Sequence, residues 1–340
     1  MQFVYVLTSG YNDIYYEQLL LSVTSIRLFN PNSNVVLFCD TKTKETLIGK
    51  RSGYENFVSN LIVLDTPEHF SQVEVSRWIK TSIHQKLSSD FLYIDCDTII
   101  ADDLSSIADL DIKFGACLDK HSLINNHAKG NDFIKRDKKL GFNSYLSNRH
   151  YNGGLIFCAY DPEAHKIFER WHELWLFSKS KKIISDQASL NMAIYENDTN
   201  FTELDGIWNC QISFNGLPYL ANSKIIHYFA TDSIFNASPF IFANDNLFRQ
   251  IKDNGFIPKE FLDKLKNPRS SFVSESRIIA GEDMLFVINS SLFESIFWFK
   301  RKIPIFYNFL NYLFSLNKKI IKYFLIKINK RKAGRIEYYN

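Results

Sequence analysis

Residues 91–100 read FLYIDCDTII. Four apolar residues lead into two aspartates separated by one residue, and three more apolar or β-branched residues follow the second aspartate within the stretch. The run Phe91–Ile94 has the composition of a strand buried on both faces. If the chain stays extended, Asp95 and Asp97 point to one side and Cys96 to the other. Two carboxylates on one side at the end of a buried strand are suited to a divalent cation. A second Asp-x-Asp, Asp109–Leu110–Asp111, follows the polar, helix-like stretch DDLSSIADL and lacks the buried strand.

Apolar runs rich in β-branched and aromatic residues recur on both sides of this stretch, at Phe3–Leu7, Val35–Cys39, Leu61–Leu64, Phe114–Leu118 and Leu155–Cys158. Segments with helical spacing lie between or after them, at Tyr15–Leu28, Lys44–Ile48, Val75–Leu87, Pro162–Phe177 and Gln187–Tyr195. Strands alternating with helices predict an α/β fold with a mixed, mostly parallel sheet flanked by helices, with a helical appendage at the C-terminus. Ligands of such sheets bind beyond the carboxyl ends of the strands, which directs attention to Thr8–Ser9–Gly10, Asp40 and Asp95–Cys96–Asp97. Two short helical pieces, 244–252 and 258–266, precede a polar break at 267–277. The expected organisation is a catalytic domain over 1–240, a helical extension and linker over 241–277, and an aromatic, basic segment over 278–340.

Charge divides the chain more sharply than its total of +3 suggests. Residues 300–340 hold eleven Lys and Arg against the single acid Glu337, a balance of +10 that leaves −7 for residues 1–299. A nucleic-acid binder is expected to carry its basic face through the folded body, so no nucleic-acid partner is expected. The five cysteines are widely spaced and form no CxxC pattern, which predicts a reducing compartment and no disulfide framework. MQFVYVLTSGYND has no basic n-region and reads as a first core strand; the body is expected in the cytoplasm.

A hard cation beside two carboxylates commonly meets a phosphate, and a nucleoside diphosphate is the natural partner. A third ligand is sought elsewhere. His227 ends the apolar run in KIIHYF, where it can serve either as that ligand or as a core histidine. An imidazole among oxygen ligands favours Mn²⁺, with Mg²⁺ as the alternative.

Four stretches taken in order resemble glycosyltransferase family 8 and its GT-A, Rossmann-like nucleotide-sugar fold: VYVLTSGYNDIYYEQLLLSVTSI, SRWIKTSIHQKLSSDFLYIDCDTII, YNGGLIF at 151–157 and SDQASLNM at 185–192. The resemblance spans about residues 1–240. It implies that Asp95, Asp97 and His227 hold the cation that grips the donor diphosphate, and that Cys96, between the carboxylates in the same motif, is part of the nucleotide-sugar-binding set. Thr8, Ser9 and Tyr11 would line the base and ribose pocket, and Arg77 or Lys80 would approach the phosphates or the sugar. Asn152, Gly153 and Gly154 would border the sugar, the glycines admitting a close backbone approach. Asp186 would bind sugar hydroxyls and Gln187 would sit beneath the anomeric carbon, making these two the expected catalytic pair. For Arg77 and Lys80 a solvated helix face, and for Ser185 and Asp186 a helix N-cap, are the competing structural roles.

The resemblance implies transfer of a sugar, in the manner of a hexosyltransferase, from a nucleotide diphosphate, by expectation UDP, to a hydroxyl of a glycan or lipid-linked acceptor, with retention of configuration. An inverting relative would need a base, for which Asp119 and Asp186 are the nearest carboxylates. The family's His-x-x-Gly-x-x-Lys segment is replaced by HYFATDSIFNASPF, with Thr231 and Ser233 in the region where a small residue and a basic group would stand. Leaving-group stabilisation must then fall on the cation or on a Lys or Arg from elsewhere. Two alternatives share parts of the pattern: a haloacid-dehalogenase-like phosphatase using Asp95 and Asp97, and a non-catalytic sugar-nucleotide or glycan-binding module.

The uncharged run IPIFYNFLNYLFSLN at 303–317 is bracketed by Lys300–Arg301–Lys302 and Lys318–Lys319 and is short for a transmembrane span. Beyond it Ile321, Phe324, Leu325 and Ile328 repeat at helical spacing, with lysines on the remaining arc. Aromatics on one side and lysines on the other suit a helix lying in an anionic headgroup layer, so peripheral membrane association through 300–340 is expected.

Overall fold

The structure, a computed structural model, describes residues 1–127, 129–212, 215–229, 240–272 and 291–331, without the side chains of 293, 294, 297, 301 and 318–331. Two compact units divide the chain, Met1–Ser271 and Phe272–Asn340. The first therefore takes in residues 241–271, which the sequence sets apart as an extension.

In the first unit the strands are β1 (Gln2–Leu7), β2 (Asn34–Asp40), β3 (Asn60–Leu64), β4 (Phe91–Ile94), β5 (Thr98–Ile100), β6 (Phe114–Leu118), β7 (Tyr151–Cys158), β8 (Phe201–Glu203), β9 (Cys210–Gln211) and β10 (Ile225–His227). The helices are α1 (Tyr15–Phe29), α2 (Thr41–Thr46), α3 (Gln72–Ser82), α4 (Gly130–Leu140), α5 (Pro162–Ser180), α6 (Gln187–Glu196), α7 (Leu217–Leu220), α8 (Asp245–Asn254) and α9 (Lys259–Leu265). Seven strands form one sheet in the order β3-β2-β1-β4-β7-β6-β8. β1, β2, β3 and β4 pair in parallel, as do β6 and β8, while β7 runs antiparallel to both of its neighbours. The mostly parallel α/β sheet expected from the alternation of apolar runs and helical segments is present.

Strand periodicity sorts the core. Val4, Val6, Val36, Phe38, Phe91, Tyr93, Phe114 and Ile156 pack with Ile79 of α3, Phe168 and Trp171 of α5 and Leu190 of α6. The alternate residue Tyr5 reaches α1, where its hydroxyl bonds Ser22 at 2.9 Å. α3 starts at a capping box in which Ser71 and Glu74 exchange bonds. Its spacing buries Val75 and Ile79 while carrying Arg77 and Lys80 toward the strand ends. All five cysteines are unpaired, and four of them are buried.

A small second sheet, β5-β10-β9, stands at the end of β4. The strand leading into the aspartates thus stops at Ile94, and Asp95–Cys96–Asp97 forms the link by which the chain changes sheets. This departs from the continuous extended run assumed from the sequence.

In the second unit, α10 (Ser291–Lys302) and α11 (Pro304–Arg331) are helical. Ile305 (85% exposed), Phe309, Tyr312 and Phe314 (66%) are uncovered along α11. The side chains of Ile321, Phe324, Leu325 and Ile328, and residues 332–340, lie outside the described residues. No helix among the described residues is long and apolar enough to cross a membrane.

Candidate active site

The site forms where β1 and β4 end and the antiparallel β7 begins, against the small sheet. Pairing of β10 with β5 sets His227 opposite Thr98, one residue after Asp97. His227 Nε2 lies 3.2 Å from Asp97 Oδ1, and ligand atoms from Asp95, Asp97 and His227 all fall within 4.8 Å of one another. Thr98 donates its hydroxyl to the Asp95 carbonyl at 2.8 Å, and Asp95 N–H donates to the Gly154 carbonyl at 2.8 Å, so the turn is tied to both β5 and β7.

Gly154 explains part of the YNGG pattern. A Cβ there would run into His227 Cε1 and lie 2.8 Å from Asn152 Oδ1 and 2.9 Å from Asp95 Oδ2. Only a residue without a side chain lets β7 pass this close to both ligands. Two carboxylates and one imidazole converging in this glycine-made clearance fit a hard divalent cation.

Cations of the protein oppose these carboxylates. Lys80 is 4% exposed; its Nζ lies 3.2 Å from Asp95 Oδ1, 3.9 Å from Asp186 Oδ2 and 4.6 Å from the Tyr93 ring centre. Tyr93 donates its hydroxyl to Asp95. Burial alone would raise the Asp95 pKa, but Lys80, His227, Tyr93 and Arg77 outweigh it and hold the group below the usual carboxylate range. For His227, burial works against the imidazolium, yet Asp97 and then Asp95 prevail and the pKa is raised. Cys96 hydrogen-bonds the Val6 carbonyl and, with burial first and the neighbouring aspartates second, its thiol is pushed far up in pKa. It carries no thiolate.

Arg77 Nε is 3.1 Å from Asp186 Oδ1, and this ion pair raises the arginine pKa. Asp186 opens α6 but makes no side-chain capping bond. Its carboxylate turns to Arg77 and Lys80 instead of to the helix end. Beside it, Gln187 Nε2 is buried with no hydrogen-bond partner among the described residues, an arrangement that costs about 1–3 kcal/mol unless something bound meets it.

Asn152 differs from its expected sugar-bordering role in where its side chain points. It is 6% exposed, its Oδ1 accepts from Gly154 N–H and from Asn209, and its Nδ2 donates to Asp119 at 2.9 Å. Gly153, by contrast, borders Lys80, whose Nζ would lie 3.5 Å from an added Cβ. Asp119 also accepts from His127 at 3.1 Å; burial opposes but these two bonds prevail, leaving its pKa at about 2. A carboxylate so engaged is a weak base.

The loop after β1 is held from four directions. Asp13 accepts from Ser9 Oγ (2.5 Å) and Gly10 N–H (2.7 Å), and Gln72 donates to the Thr8 carbonyl and to Asp13. Arg51 donates to Ser9 Oγ, the Gly10 carbonyl and Thr46 Oγ1. From α8, Lys252 Nζ donates to the carbonyls of Asp13 (2.6 Å) and Tyr11 (3.1 Å). The Ser9 hydroxyl is thus engaged by protein, whereas the Tyr11 ring is 58% exposed at the loop's edge. Arg51, Gln72, Lys252 and Asn209 are not recognisable from sequence. Each is a lone polar residue far along the chain from the atoms it serves. Thr231 and Ser233 lie outside the described residues.

The strand order reverses between β1 and β4, and the crevice at such a switch point is where an α/β enzyme binds its ligand; here it lies beside three side chains that could hold a cation. The protein's class follows from the sequence as a whole: the profile of "Glycosyl transferase family 8" matches residues 6–232, and the chain belongs to that family. It is a nucleotide-sugar glycosyltransferase, which removes the phosphatase and the non-catalytic module. No curated protein matches the sequence significantly. Among solved structures, mouse xyloside xylosyltransferase 1 in its apo form is similar, with 13% identity, a TM-score of 0.46 and coverage of 68% of this chain and 99% of that one. The galactosyltransferase LgtC, in complex with donor and acceptor sugar analogues, shares 15% identity at a TM-score of 0.46 over 78% of this chain and 100% of its own. The glycosyltransferase GlyE of Streptococcus pneumoniae shows 15% identity and a TM-score of 0.46 over 78% of this chain and 65% of its own.

Proposed function

We propose that the protein transfers a sugar from a UDP-sugar to a hydroxyl of a glycan or lipid-linked acceptor, with retention of configuration and with Mn²⁺ or Mg²⁺ at Asp95, Asp97 and His227. The observation that carries this reading is the convergence of those three side chains beside Gly154 in a family 8 chain. A bound cation would neutralise charge on the diphosphate leaving group as it develops.

The chain's own residues do the rest. Tyr11, exposed at the rim, offers a face for the base, while Arg51 and Lys252 keep the loop beneath it in place. Lys80, between Asp95 and Asp186, puts a buried positive charge between the cation site and the sugar site. Arg77 holds the Asp186 carboxylate in register to accept from sugar hydroxyls. The unmet Gln187 amide is poised to donate to the donor sugar or to the incoming acceptor, which attacks on the leaving-group side. No carboxylate in this reading forms a covalent intermediate.

The exposed apolar residues of α11, with the basic residues around and beyond them in sequence, support docking on an anionic membrane surface, where a lipid-linked acceptor would be met. The test is a hydrolysis and thermal-shift panel of UDP-, GDP- and CMP-sugars with and without Mn²⁺. UDP-sugars are expected to stabilise and turn over in the presence of the cation only. Stabilisation by phosphate monoesters, or by nucleotide sugars equally well in EDTA, would refute the reading.

A further inference from the structure

We propose that Asn209 is a positioning residue that holds the ring proton of His227 on Nδ1 and thereby keeps Nε2 as the lone pair facing the cation site. The inference rests on the reading of Asp95, Asp97 and His227 as that site.

Hydrogen-bond polarity decides the assignment, starting from groups that have only one role. The Gly154 backbone N–H can only donate, and it lies 2.8 Å from one end of the Asn152 amide; that end is therefore Oδ1. The other end then carries the NH₂ group and donates to the Asp119 carboxylate at 2.9 Å. Asp119 confirms the direction from its far side. The Lys129 N–H donates to His127 Nδ1 at 2.9 Å, so the His127 proton sits on Nε2 and also donates to Asp119, at 3.1 Å.

With Asn152 Oδ1 known to be an acceptor, the amide end of Asn209 that lies 3.1 Å from it must be its NH₂. The opposite end, Asn209 Oδ1, faces His227 Nδ1 at 3.0 Å. An oxygen there requires a proton on Nδ1. Asn209 is fully buried and His227 is 2% exposed, so water does not compete for this bond. Phe229, stacked on the imidazole at 3.8 Å and 15° between planes, holds the ring against rotation. In the neutral ring Nε2 is left unprotonated, directed toward Asp97 and Asp95. A histidine binds a metal through the nitrogen that carries no proton, and the partner of the other nitrogen sets which one that is.

The neighbourhood in sequence, GIWNCQISF, contains no sign of this role. Asn209 acquires it because it immediately precedes β9, whose Gln211 pairs with His227 of β10.

The test compares Asn209→Leu, which removes the acceptor, with Asn209→Asp, which keeps one opposite Nδ1. MnCl₂ is titrated into each full-length protein with UDP present, free Mn²⁺ is read by electron paramagnetic resonance, and melting temperature is followed in parallel. Asn209→Leu is expected to weaken Mn²⁺ binding about 10–100-fold, and Asn209→Asp to recover most of it. In the unsubstituted protein loaded with Mg²⁺ and UDP, long-range ¹H–¹⁵N spectra of labelled histidine should place the His227 proton on Nδ1, a readout independent of whether the leucine variant folds. A proton on Nε2, or a folded leucine variant that binds Mn²⁺ as tightly as wild type, overturns the inference. Asp97→Ala separates the two levels. If it abolishes binding while Asn209→Leu does not, only the role of Asn209 fails; if it too binds Mn²⁺ normally, the cation site fails and the inference with it.

Discussion

The two halves of the site are built on opposite principles. Around the loop after β1, polar groups are paired within the protein: Asp13 with Ser9 and Gly10, Arg51 with Ser9 and Gly10, and Lys252 with Tyr11 and Asp13. Around Asp95, Asp97 and Gln187, two carboxylates meet an imidazole and the buried Lys80 ammonium, and an amide remains unmet. The first half presents a shape made rigid before ligand arrives. The second gathers charged side chains at close quarters and leaves one buried amide, that of Gln187, without a partner among the described residues.

Substitutions on the unsatisfied side should break the contrast most severely. Asp97→Ala should abolish Mn²⁺-dependent stabilisation by UDP and lower transfer by at least about 10³-fold, measured by thermal shift and by release of UDP; turnover within tenfold of wild type would contradict it. Gly154→Ala comes next. The added methyl group occupies the clearance between His227, Asn152 and Asp95, and about a 100-fold loss of activity with a lowered melting temperature is expected. On the satisfied side the penalty should appear in nucleotide affinity and stability instead. Arg51→Leu removes three hydrogen bonds from a side chain that is 7% exposed, and a loss of about 3 kcal/mol in urea unfolding with roughly tenfold weaker UDP binding is expected. If transfer fell with no change in UDP affinity, the loop would not be the nucleotide side.

Acid should act on the whole body more than on either half. His84 is buried, with neither ring nitrogen hydrogen-bonded among the described residues, and burial lowers its pKa to about 4; His150, similarly desolvated, falls to about 3. Both are held neutral in the folded state, whereas the unfolded chain takes up protons from pH about 6.5 downward. Stability is therefore lost as pH falls from about 6.5 to 4, by up to about 3 kcal/mol per pH unit for two protons, and the His150 part continues down to about pH 3. Asp119, depressed to about 2, adds a further loss below pH 3.8. His84→Phe, which preserves the stack on Phe168, should reduce that slope by one proton in equilibrium unfolding at several pH values; an unchanged slope would refute the assignment. The smallest effect on chemistry is expected from deleting residues 300–340. Hydrolysis of UDP-sugar in solution should persist while sedimentation with anionic vesicles is lost.

The strands and helices of the first unit were largely legible in the sequence. Phe91–Ile94, Phe114–Leu118 and Pro162–Ser180 declare themselves through apolar runs and helical spacing, which are local consequences of burial on one or two faces. The aspartate pair was legible because a strand end followed by Asp-x-Asp is also a local pattern. Two side chains had to be placed by the structure. Asp186, expected at the site with a helix cap as the competing role, makes no capping bond and pairs with Arg77. Asn152 faces inward to Asp119 and Asn209.

What the sequence by itself determined is thus the alternation of elements, the acidic turn at 95–97 and the contrast between an acidic body and a basic end. His227 was a candidate in the sequence, but its meeting with the turn, and the identity of the other distant groups around it, came from tertiary structure. His227 joins Asp97 because β10 pairs with β5, Asn209 reaches His227 because β9 pairs with β10, and Lys252 meets the β1 loop because α8 belongs to the same compact unit. A hydrogen bond or an ion pair depends on separation in space and on the polarity of its partner's other bonds. Neither is encoded in local spacing, and both exist only after the sheets have closed on one another.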